Sequence, residues 1–141
     1  MTARKDTGHG ATLTFGTSAL TYQWTKVGAA MTDRGEVETT DLATTDYKTF
    51  MPGDLADPGE FDIEYMFDTE SAQSTIAGLA AETITITFPV PTGGSVAARC
   101  TGTGFVKKRT LHPELATDTI QTGTLTVRWD GLTGPNFVVG S

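Results

Sequence analysis

Between Glu60 and Asp68 the side chains alternate with a period of two: Phe61, Ile63, Tyr65 and Phe67 fall on one side, Glu60, Asp62, Glu64 and Asp68 on the other. Only an extended strand puts residues two apart on one face, so the segment reads as a half-buried β-strand with one strongly acidic face. A strand needs hydrogen-bonding neighbours, and the chain offers them. Ala11–Phe15 alternates apolar and hydroxyl side chains with Leu13 and Phe15 on one face, Thr83–Phe88 alternates Thr and Ile, and Asp118–Trp129 puts Leu125, Val127 and Trp129 inward. In Tyr22–Val27 the apolar parity changes between Trp24 and Val27, which predicts a bulge near Thr25 or Lys26.

Arg34–Leu42 reads as a further strand with Val37 inward and Glu36, Glu38 and Thr40 on the wet side. Ser95–Val106 reads as a long strand carrying Val96, Ala98, Cys100 and Val106 on one parity, with Gly102 and Gly104 in the same row, as expected of a long, bent or closely packed strand. Ser71 is an N-cap candidate, and Ala72, Ile76, Leu79 and Ala80 form one stripe of a short helix. The expected fold is therefore mainly β: an antiparallel β-sandwich or partly closed barrel of about seven strands with one short flanking α-helix. At 141 residues a single domain spanning 1–141 is expected, with 1–10 as an N-terminal arm and 131–141 as a C-terminal tail.

Charge and residue types argue against several functions. A net charge of -7 supplies no basic footprint for gripping nucleic acid. Lys107-Lys-Arg109 is the one basic run; it reads as a solvated strand end, or as a contact for an acidic neighbour. His9 sits in a Gly-rich stretch and His112 precedes a proline, so a paired catalytic or metal role has little support and no enzyme is expected. Asp54, Asp57 and Glu60 fit no calcium-loop spacing, and Gly102-Thr-Gly104 lacks the rest of a phosphate loop; neither cofactor nor metal is expected. Cys100 reads as a small core hydrophobe. The first ten residues lack the apolar run of a signal peptide, and no stretch has the roughly 18–20 apolar residues of a membrane helix. A cytoplasmic product with no membrane partner is the expectation.

From Ala43 to Pro58 no periodicity survives, and Pro52-Gly53 and Asp57-Pro58-Gly59 mark turns. Unstructured loops beyond about 12–15 residues are usually functional or disordered. This one carries Tyr47, Phe50, Met51 and Leu55, side chains of the kind enriched at interface cores, so it reads as a loop that docks on another subunit, the alternative being one that folds back to cap its own sandwich.

The segments Met31–Leu42, Phe50–Phe61 and Ile63–Asp68, in that order, resemble the major tail tube protein family of long-tailed, siphovirus-type bacteriophages. In that family a long strand leads through a loop ending in a "PGL.D.GE" type segment to a strand ending in an aromatic and Asp, then a short helix. Pro52-Gly53, Leu55, Asp57, Gly59 and Glu60 match the segment, with Asp54 as one extra residue. The likeness spans about residues 11 to 130. It implies a structural virion protein, assembled in the host cytoplasm, that forms hexameric rings stacked into a tube with a continuous β-barrel lumen, through which DNA passes without specific binding. Other copies of the chain are its implied partners, with the tape measure protein and the tail terminator and baseplate proteins. On that scheme Glu36, Glu38, Glu60, Asp62 and Glu64 are candidates for the lumen wall, where like charge keeps DNA from sticking. Tyr47, Phe50, Met51 and Leu55 become the intersubunit contacts. Two other readings stay open: a tail terminator or baseplate ring on the same fold, and a carbohydrate-binding β-sandwich, which would need an aromatic platform where Trp24 and Trp129 read as core.

Overall fold

In the computed structural model, residues 7–70 and 80–140 are described. The expected helix over Ser71, Ala72, Ile76 and Leu79 lies outside them. The described elements are nine strands: β1 (Thr12–Phe15), β2 (Gln23–Val27), β3 (Asp33–Glu38), β4 (Phe50–Asp57), β5 (Glu60–Met66), β6 (Glu82–Thr87), β7 (Arg99–Arg109), β8 (Thr122–Trp129) and β9 (Asn136–Val138).

Seven of these strands make one antiparallel sheet in the order β1-β6-β7-β8-β5-β2, with β9 pairing the first residues of β7. A flat sheet would hold its two edge strands about 24 Å apart, five spacings of about 4.8 Å. Instead Phe15 of β1 and Trp24 of β2 pack with ring centroids 6.1 Å apart. The sheet is therefore strongly curled, yet β1 and β2 do not hydrogen-bond to each other and the sheet is not closed.

The concave side of the curl holds the core. Leu13, Phe15, Phe61, Ile63, Tyr65, Ile84, Val106, Leu125, Val127 and Trp129 are all buried. Cross-strand registers explain why these residues meet: Phe61 lies beside Val127, which lies beside Val106, and Ile63 lies beside Leu125. The alternation read from Glu60 to Tyr65 appears in the burial of β5, with Phe61, Ile63 and Tyr65 inside and Glu60, Asp62 and Glu64 outside. The expected irregularity in β2 is present as a register shift between Trp24 and Lys26. Cys100 is half-buried against the core, where burial pushes its thiol pKa up. Glu82 is buried, and its Oε1 accepts hydrogen bonds from Ser18 N (3.2 Å) and Ser18 Oγ (2.8 Å), which pins the turn after β1.

Four expectations need correction. Val37 does not point into a core; it is 49% exposed, because β3 joins no layer of the main sheet. Residues 43–58 are not one loop, since Phe50–Asp57 is strand β4, paired with β3. Its alternation is broken by an irregularity where Arg34 pairs Ala56 and Glu36 pairs Pro52, leaving Gly53, Asp54 and Leu55 opposite Gly35. The long strand begins at Arg99 rather than Ser95, and Val96 lies outside it, exposed. Residues 131–141 are not only a tail, because β9 pairs Cys100 with Phe137.

Candidate functional site

The second sheet is a two-stranded antiparallel ribbon, β3 with β4, that shares no strand with the main sheet. Every residue of β3 is exposed, and so is every residue of β4 except the half-buried Gly53. Val37 pairs Met51, while Glu38 pairs Phe50 and Glu36 pairs Pro52 on alternate rungs. Neighbouring rungs point to opposite faces, so apolar side chains stand on both faces of the ribbon. At its far end Thr39 Oγ1 donates to Thr49 Oγ1 at 2.8 Å, and Thr39 N donates to Thr49 O at 2.7 Å, which extends the ladder beyond the strands. An Asx-type turn follows, in which Asp41 Oδ1 accepts from Ala43 N at 2.9 Å. Leu42 and Tyr47 project from this tip, 107% and 85% exposed.

The ribbon brings the four sequence-selected interface residues onto one projection. Tyr47 stands in the tip, and Phe50, Met51 and Leu55 stand on β4, all exposed. Within the irregularity, Arg34 Nε donates to Gly53 O at 2.8 Å, satisfying a carbonyl that the broken ladder leaves open. The ribbon also concentrates charge. Residues 33–57 carry Asp33, Glu36, Glu38, Asp41, Asp46, Asp54 and Asp57 against Arg34 and Lys48, a net -5 out of the chain's -7.

The five acidic candidates for a lumen wall do not lie on one sheet. Glu36 and Glu38 are on the ribbon, whereas Glu60, Asp62 and Glu64 form a column on the convex face of β5. Cations flank that column in register: Glu60 pairs Arg128, and Glu64 pairs Lys26. Lys107 Nζ reaches Glu60 Oε2 at 3.0 Å, and Asp62 Oδ1 accepts from Thr126 Oγ1 at 2.7 Å. The convex face is thus a charge-balanced lattice, and the excess of negative charge sits on the ribbon. Lys107, Lys108 and Arg109 are the last three residues of β7, and both lysines are exposed, as expected of a solvated strand end.

A third surface was not legible from the sequence. Phe88 and Phe137 meet edge to face with centroids 5.5 Å apart, and both remain exposed together with Val90, Val96 and Val139. The stretches 88–98 and 131–140 that build this end contain no charged residue. The signal was the absence of charge, but only the pairing of β9 with β7 brings the two stretches together. His9 and His112 are exposed, in the turn before β1 and in the β7–β8 connection. Among the described residues, no group of three or more His, Cys, Asp or Glu is placed to hold a metal ion.

No protein-family model matches the chain, and no curated protein matches it.

Proposed function

We propose that this chain is the tube-forming subunit of a long-tailed bacteriophage tail, a structural protein that acts by assembling into stacked hexameric rings. The observation that carries the reading is the ribbon. A lone two-stranded ribbon is marginal in water, and this one keeps Phe50, Met51 and Val37 about half exposed with Tyr47 and Leu55 more so. Side chains of these types form the cores of protein interfaces, and contact with further copies would bury them while supporting the ribbon. The edge strands β1 and β2 point the same way, since each is paired on one side only and leaves a row of backbone groups for another chain.

In such a tube the function is mechanical and electrostatic. Each copy carries -7, so a ring repels a passing polyanion as a whole, even though the convex face of β5 has cations beside its carboxylates. Glu60, Asp62 and Glu64 are the proposed lumen residues of the main sheet, and Glu36 and Glu38 those of the ribbon. The partners on this reading are the chain itself, the tape measure protein inside the tube, and the terminator and baseplate proteins at its ends.

Negative-stain microscopy of the purified protein tests the proposal. The expected result is hollow tubes of uniform width for the parent, and folded unassembled particles when Tyr47, Phe50, Met51 and Leu55 are changed to Ser. Single rings that never stack would favour a terminator or baseplate ring instead. A protein that stays a lone particle across a wide concentration series would reject assembly altogether.

A further inference from the structure

At the root of the ribbon, Asp33 and Asp57 are direct cross-strand partners. Like charges placed opposite each other destabilise a rung. This is the last rung before the chain returns to the main sheet, so repulsion here pushes apart the two legs on which the ribbon stands. Arg128, on β8 of the main sheet, donates from Nη2 to Asp57 Oδ1 at 2.7 Å. Among the described residues, this is the side-chain hydrogen bond that joins the ribbon to the main sheet.

The two legs are anchored unequally. On the β4 side, Asp57 Oδ1 also accepts from Gly59 N at 2.8 Å, and Gly59 O accepts from the backbone N of Trp129 at 3.2 Å. Arg128 and Trp129 are consecutive, so one outward and one inward residue of β8 hold the Asp57-Pro58-Gly59 turn. Gly59 adopts φ +92°, and a Cβ there would collide with Met31 O, so the turn admits no other residue without displacing the opposite leg. On the β3 side the leg is Gly28-Ala29-Ala30-Met31-Thr32, small or exposed residues tied at Gly28 N to Asp62 O. Asp33, Asp57, Glu60, Lys107 and Arg128 line the open concavity between the legs and the sheet, and Lys107 is engaged with Glu60.

We propose that Arg128 is an electrostatic latch: it neutralises the Asp33–Asp57 rung and so fixes the direction in which the ribbon projects from the sheet. The pose of the ribbon then rests on a solvent-accessible polar contact, and a neighbouring molecule that engages the Arg128 guanidinium releases it without unfolding the body. This inference concerns the isolated chain and does not depend on the tail-tube reading.

The test is a distance distribution between spin labels at Leu42→Cys, on the ribbon tip, and Thr12→Cys, on β1, in a Cys100→Ala background. Labelled protein is diluted into unlabelled protein so that only intramolecular distances are read. The parent should give one narrow peak at low salt that stays narrow as salt is added, because salt screens the Asp33–Asp57 repulsion together with the latch that offsets it. Arg128→Gln should lose the narrow peak at low salt and, with only repulsion left to screen, should sharpen as salt is added. Arg128→Gln combined with Asp33→Asn should recover the narrow peak, while circular dichroism shows an intact sheet in all three. An Arg128→Gln distribution that superimposes on the parent at low salt, or that broadens further as salt is added, would overturn the proposal.

Discussion

Gly123 lies directly beneath the ring of Tyr65, its cross-strand partner: a Cβ placed on Gly123 would fall 2.5 Å from Tyr65 Cζ. The ring has little freedom to yield, since Tyr22 stacks on it at 4.6 Å and Trp24 meets it edge-on at 6.1 Å. Gly123→Ala should therefore destabilise the fold by about 1–3 kcal/mol, the usual cost of overpacking. Urea denaturation followed by Trp fluorescence measures it, and an unchanged midpoint would show that the ring moves aside freely.

Tyr65 itself is fully buried, and its hydroxyl has no hydrogen-bond partner among the described residues. Burial pushes its pKa above 10.0, so the phenol stays neutral through the physiological range. Removing an unsatisfied buried hydroxyl relieves a desolvation cost, so Tyr65→Phe should raise stability by about 1 kcal/mol. A clear loss of stability in the same denaturation experiment would contradict this.

Trp24 spans the opening of the curled sheet, touching Phe15 across the gap as well as Tyr22 and Tyr65 on its own side. Trp24 is half-buried, so Trp24→Ala should cost about 2–3 kcal/mol, below the roughly 3–5 kcal/mol usual for a fully buried aromatic. Hydrogen exchange should show the effect spreading to β1, which has no backbone bond to β2. Protection of β1 that survives the substitution would mean that the gap is held by something else.

Asp57 gives a pH signature. The hydrogen bond from Arg128, then that from Gly59 N, holds its carboxyl below the ordinary value of 3.8. A depressed carboxylate pKa contributes stability that is present above the unfolded value and is lost as the pH falls through the folded one. The melting-temperature difference between parent and Asp57→Asn should stay constant from about pH 5 to 8 and shrink below about pH 4. The charged groups around it are Asp33 across the ribbon and Glu60, Lys107 and Arg128 on the main sheet. A difference that changed between neutral pH and pH 5 would assign the effect elsewhere.

The strands that line the core were legible because their chemistry is local. Phe61, Ile63 and Tyr65, and Leu125, Val127 and Trp129, each carry a period-two pattern that survives without knowing the partner strand. The ribbon was not legible as a ribbon, for a physical reason. Both of its faces are wet, so nothing enforces alternation, and the irregularity around Gly53 and Asp54 breaks the pairing within β4. Pro52 and Gly53 read as a turn, yet an exposed strand tolerates both, since neither is asked to fill a central sheet position. The residues proposed for subunit contact stand out anyway, because Tyr47, Phe50, Met51 and Leu55 are conspicuous by type rather than by spacing, and all four are exposed. Strand β9 was missed because three residues hold no period, and because its partner, Arg99–Thr101, lies far back in the chain.

The topology also sets an order of events during folding. The ribbon joins neighbours in sequence, such as Glu38 and Phe50, whereas the sheet must bring Leu13 to Ile86 and Ile63 to Leu125. Local hairpins form in about 1–10 μs, while chains dominated by distant pairings take milliseconds to seconds. The acidic limb, marginal by itself, thus closes and reopens many times before the body that carries it is complete. Nascent chains meeting through that limb would carry the same charge, and mutual repulsion would keep them apart while their sheets are still open.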